Sequence, residues 1–137
     1  MRVDSFFVDE NVTLRWNTTG ITVAGTSGVV GNASNQLYFP WGLALTYENT
    51  LYVADRYNHR VQRYLRGSLN GTTVAGQANA TTCVSYQCLL YPSSLALDDN
   101  ENLFISEERG HRVVLWKKDA IFGELVAGTG TDFVVYV

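Results

Sequence analysis

The stretch LYVADRYNHRV (51–61) decides how the chain is read, because a counterpart, LFISEERGHRV (103–113), begins 52 residues later. Each copy opens with β-branched and aromatic residues, passes through a polar turn and resumes with His-Arg-Val. Strand-forming residues on both sides of a short polar segment predict a hairpin. Its duplication means either a site used twice or a structural unit built twice.

Working outward, residues 38–64 align with 90–116, and eight of these 27 positions are identical, Pro40/Pro92, Leu51/Leu103, His59/His111 and Arg60/Arg112 among them. A second marker, Val-Ala-Gly, falls at 23–25, 74–76 and 126–128. A period near 50 is that of propeller blades, where each repeat is a four-stranded sheet that cannot bury both faces alone. The spacing predicts strands at 42–46, 51–55, 60–65 and 72–75, and again at 94–98, 103–107, 112–116 and 124–127. Residues 1–25 read as a worn copy, with strands at FFVDE (6–10), VTLRW (12–16) and ITVAG (21–25), which brings the expected total to eleven. The runs GLALT and SLALD are continuously apolar, as in sheets covered on both faces by neighbours.

Composition agrees with an all-β chain. Of the 137 residues 46% are hydrophobic and 17% charged, enough to bury a core, and twelve Gly with two Pro favour short strands joined by turns. No window approaches a membrane span, and acids stand where a signal peptide at the start would be apolar. A net charge of -3 argues against a surface built as a whole for nucleic acid. Cys83 and Cys88 lie in TTCVSYQCLL without His or acids to complete a zinc site, so they are either a local disulfide or two free thiols. Asn11, Asn17, Asn32, Asn70 and Asn79 all head Asn-X-Ser/Thr triplets. Five such acceptors beside a cysteine pair point to an extracellular setting, with the cytoplasm as the alternative, although turns also favour these residues.

The order Pro, apolar strand, turn, then LYVADRYNHRV resembles the NHL repeat, best at Asn58-His59-Arg60-Val61. The second copy is degenerate, with Gly110 for the Asn and Glu107 for the Asp. The resemblance runs over about residues 20–128 and implies propeller blades of four antiparallel strands. Its units are a degenerate partial blade at 1–25, repeats at 26–76 and 77–128, and the start of another at 129–137. Fewer than three blades form an incomplete ring, so further blades from a longer chain or from other copies are expected. The implied function is a non-catalytic scaffold that binds a protein, or a glycan-bearing surface, through the loops at one end of the blades.

That end carries Arg56, Tyr57, Asn58, Glu108 and Arg109 as candidate contacts, chosen because Arg and aromatic residues on a rigid face dominate interface energy. Asp55, His59, Arg60 and Glu107, His111, Arg112 occupy repeat positions, where an acid and an Arg five residues later fit a pair tying two strand ends together. No metal site, cofactor or catalytic residue is expected. His59 and His111 sit a blade apart without a patterned third ligand. The alternatives are an amidating-lyase-like propeller, which holds a metal through His at its ring centre, and the recognition module of a ubiquitin-ligase-type protein, in which some such propellers bind RNA. Arg56, Arg60, Arg63 and Arg66 invite the RNA reading, but Arg60 and Arg63 fall on opposite faces of one strand. The acidic run 98–102 lacks the Gly and Glu of a calcium loop and reads as a turn.

Overall fold

A computed structural model describes residues 17–83 and 85–129. Among the described residues are eight strands, β1 (Pro40–Leu45), β2 (Leu51–Asp55), β3 (Arg60–Tyr64), β4 (Thr72–Gly76), β5 (Pro92–Leu97), β6 (Leu103–Glu107), β7 (Arg112–Trp116) and β8 (Glu124–Gly128), with a short 3₁₀ turn at Arg56–Asn58. They form two four-stranded antiparallel sheets, each ordered as in the chain, β1-β2-β3-β4 and β5-β6-β7-β8. The fold is all-β. β1 and β5 start at Pro40 and Pro92, two residues before the positions the sequence indicates, because each proline is still paired, with Asp55 and Glu107, across an irregularity in the register. Of the worn copy, 6–10 and 12–16 lie outside the described residues, as do most of 129–137. Residues 21–25 are described and form no strand.

The two sheets repeat each other in detail. Asp55 pairs with Arg60 across β2 and β3, and Glu107 with Arg112 across β6 and β7. The Val-Ala-Gly marker ends β4 and β8, where Gly76 and Gly128 adopt φ of 78° and 88°. A Cβ on either would stand 2.4 or 2.3 Å from the carbonyl oxygen of His59 or His111, so only glycine fits. The amides of Gly71 and Gly123 each donate to the preceding connection, at the carbonyls of Ser34 and Tyr86, both at 2.7 Å. The pairs are again 52 residues apart, so the long connections are pinned in the same way.

The sheets pack face to face. Tyr52, Val61 and Ala75 of the first meet Leu103, Ile105, Val114 and Trp116 of the second, and Leu89 from the connection seals the core. β1 lies against β5, and a Cβ on Gly42 would stand 2.2 Å from the Ser93 carbonyl oxygen. The Tyr52 hydroxyl donates to Glu101 at 2.9 Å, and Lys118 reaches the same carboxylate at 3.1 Å, closing the seam at its far end. Burial raises the Tyr52 hydroxyl above its ordinary pKa, and the Glu101 bond adds to the shift.

Burial separates the sheets. In β2 and β3, Tyr52, Ala54 and Val61 point into the seam while Val53, Gln62 and Tyr64 are buried on the other face. In β6 and β7 burial alternates, and Phe104, Ser106, Val113 and Leu115 are only partly covered. The first sheet is covered on both faces of its central strands and the second on one. Outside the first sheet a groove of about 440 Å³ runs between Val23, Leu43, Leu45 and Tyr64. Cys83 and Cys88 are joined, with Cα atoms 5.4 Å apart, which settles the alternative in favour of the disulfide.

Candidate functional site

The antiparallel order puts the β2–β3 turn, the β6–β7 turn and the connection from Gly76 to Pro92 at one end of the sheets. Each turn is closed by a histidine in the left-handed region, His59 at φ 53° and His111 at φ 46°. Beneath the first turn, the Asp55 carboxylate accepts from Arg60 Nε and Asn58 Nδ2, both at 2.8 Å, and from the Tyr38 amide at 2.7 Å. The far end of Arg60 donates to the carbonyls of Asn32, Ala33, Gln36 and Ala78. A buried guanidinium with this many acceptors anchors the connection that precedes its own sheet. In the second turn, Glu107 accepts from Arg112 Nε at 2.7 Å and Nη2 at 3.3 Å. Burial pushes the Glu107 carboxyl up from the ordinary range, and the Arg112 bonds oppose that shift. The ring of Tyr86 lies 4.9 Å from the Arg112 guanidinium.

These corners change the standing of one expected contact. Asn58 is only 4% exposed, and its amide also donates to the Gly31 carbonyl at 2.8 Å, so it holds the turn instead of meeting a partner. Tyr57, Glu108 and Arg109 are exposed. Arg56 is largely covered and forms an ion pair with Glu108 that joins the two turns. Arg60 is buried and Arg63 lines the seam beside Tyr52, Glu101 and Trp116, so the four arginines do not make one basic surface.

The structure adds four aromatic residues that sequence reasoning missed. Phe39 and Tyr91 stand immediately before Pro40 and Pro92, at the same place in each repeat, with φ of 57° and 51°. The left-handed region is costly for a bulky residue and concentrates at working sites. Phe39 stacks between Trp41 and Tyr57, with ring centroids 5.9 and 4.9 Å away and planes inclined by 17° and 22°. Tyr57 also meets Tyr38 and Tyr91 edge-on at 5.1 and 5.6 Å. The Arg56 guanidinium lies among these rings, 5.0 Å from Trp41, 5.3 Å from Tyr57 and 5.6 Å from Tyr91, and that of Arg109 lies 4.8 Å from Tyr91. Phe39 and Trp41 remain well exposed. The detectable signal was the aromatic before proline in both repeats.

His59 fixes this arrangement across the junction. Its Nδ1 accepts from the Tyr91 amide at 3.2 Å, and its ring meets that of Tyr91 edge-on at 4.5 Å. Burial lowers its pKa from the ordinary histidine value, and the Arg109 charge lowers it further. The ring is therefore neutral and accepting in the fold. Among the described residues, no three of His, Cys, Asp and Glu gather as a metal site. Asn17, Asn32, Asn70 and Asn79 are exposed, while Asn11 lies outside the described residues.

Residues 37–64, which run from the aromatic shelf through the Asp55–Arg60 corner to the end of β3, match the family model of the NHL repeat. No curated protein matches the chain.

Proposed function

We propose that this chain, of which residues 37–64 are an NHL repeat, is a non-catalytic segment of a propeller that binds a protein partner through the end bearing Tyr57, Arg109 and the aromatic shelf. Its units are the blades 26–76 and 77–128. The single observation that carries the reading is the composition of that end. Tyr38, Phe39, Trp41, Tyr57 and Tyr91 surround two arginines at the ends of two packed sheets. Aromatic residues and Arg on a preorganised support carry most of the energy in protein interfaces. The half-covered outer face of β6 and β7 supports completion by further blades, and the disulfide with its exposed Asn-X-Ser/Thr sites supports a secreted setting.

The test is capture of the chain's partner from extracellular fluid by the immobilised protein, compared with a Trp41→Ala/Tyr57→Ala variant. Loss of about 2 kcal/mol or more of binding is expected from truncating two such anchors. A partner held equally by both proteins would refute this face as the contact.

A further inference from the structure

The cleft between the two turns has a more specific chemistry than an aromatic surface. It has a volume of about 310 Å³ and is lined by Tyr38, Arg56, Tyr57, Tyr91 and Arg109. Two guanidinium groups reach it from different sheets. Arg56 is held among the rings, its side chain 12% exposed, and its Nε is buried without a hydrogen-bond partner. Its carboxylate partner, Glu108, is 51% exposed. Arg109 has no carboxylate within ion-pair distance among the described residues and lies against the Tyr91 ring. Among the described residues the cleft therefore holds two guanidinium groups, Arg56 held among the rings and Arg109 exposed, against the one carboxylate of Glu108, a surplus of one positive charge.

We propose that this cleft binds a carboxylate carried by a peptide, gripped by Arg109 and packed beside an apolar residue on the shelf of Phe39 and Trp41. The inference rests on the reading of this end as a protein-binding face. A carboxylate suits the charge balance, since one monoanion neutralises the uncompensated guanidinium and can accept two of its N–H groups. A phosphate dianion or a polyanionic strand brings excess charge close to Glu108, which opposes it. The rings cover the Arg56 guanidinium, and the Tyr91 ring flanks that of Arg109 on one side, which strengthens pairing there relative to open water. Glu108 occupies part of the same electrostatic field, so it acts as an internal competitor for the incoming group.

The carboxylate could be an acidic side chain or a chain terminus. Three probes separate these sources: Ac-Gly-Leu-Glu-Leu-Gly-NH2, the same peptide with Gln for Glu, and Ac-Gly-Leu-Gly-Leu with a free terminus. Binding is followed on the intact protein by ¹H–¹⁵N spectra of the Arg109 Nε–H and Trp41 indole N–H groups. At least one carboxylate peptide is expected to bind in about the millimolar range and at least tenfold more tightly than the Gln peptide. Arg109→Gln, at an exposed position, is expected to erase that preference, and Glu108→Gln to tighten carboxylate binding several-fold. Equal binding of all three peptides, no binding by any, or a preference surviving in Arg109→Gln would overturn the proposal. So would inorganic phosphate shifting these signals at lower concentration than acetate. Such results leave the face reading standing if Trp41→Ala/Tyr57→Ala still loses the partner, whereas failure of that capture test refutes the face itself.

Discussion

The two hairpin corners hold the same ion pair by different means, and the difference shows what the repeat preserves. In the first, the short Asp55 leaves room for Asn58, which sits over the carboxylate and joins it to the Gly31 carbonyl. In the second, Glu107 is one methylene longer and Gly110 replaces the Asn. A Cβ on Gly110 would stand 2.2 Å from Glu107 Oε2, so the longer acid occupies the space released by the missing side chain. Asp with Asn and Glu with Gly are two fillings of one volume. The paired charge is kept, and the atoms around it are exchanged together.

The largest expected effect comes from breaking the pair itself. Arg60→Ala leaves the fully buried Asp55 without its cation and frees the carbonyls of the preceding connection, and is expected to cost about 3–5 kcal/mol in urea denaturation. A cost under about 1 kcal/mol would mean the pair resembles a solvent-exposed one. Next is the exchange of fillings. Gly110→Asn is expected to destabilise by about 1–3 kcal/mol through collision with Glu107. Adding Glu107→Asp should restore most of that loss, because it rebuilds the first corner in the second sheet. Additive losses in the double variant would show that the corners are not alternative fillings of the same space.

Much of the fold was legible because the sequence says the same thing twice. Leu51, His59 and Val61 return at an offset of 52, and hairpin register follows from the turn between them. The same duplication marked Asp55 with Arg60 and Glu107 with Arg112 as positions to compare. The candidate site was less legible, because exposure within a turn depends on which side chains fold under it. Asn58 and Tyr57 are adjacent and both suit a contact by residue type, yet one is buried beneath the turn and the other lies on top. Phe39 and Trp41 flank Pro40, ahead of the strand expected at 42–46, and no pattern in the sequence marks them as a contact. Their stacking on Tyr57 depends on the left-handed backbone at Phe39, which residue type alone argues against. The cysteine alternatives stayed open for a related reason, since a separation of five residues limits how far apart the thiols can lie but does not require the loop to fold back on itself.

The smallest effect distinguishes the corners by pH. His59 accepts a backbone hydrogen bond from Tyr91, so protonation removes an acceptor and adds a positive charge near Arg109. Its folded pKa is below the unfolded value, so the unfolded chain binds the proton more readily. The contribution of neutral His59 is fully present above about pH 6.5 and is lost as pH falls toward the depressed folded value. Glu107 has the opposite sign, because a carboxyl with a raised pKa favours the fold at low pH and loses that contribution as pH rises. The two slopes are separated by His59→Asn, which tolerates the left-handed turn and offers a carbonyl acceptor that does not titrate. Stability measured by denaturation from pH 5 to 8 is expected to rise with pH more steeply in the natural protein than in His59→Asn. Identical slopes would show that His59 is not the group coupling the Tyr91 shelf to protons, and that the two histidines serve only to turn the chain.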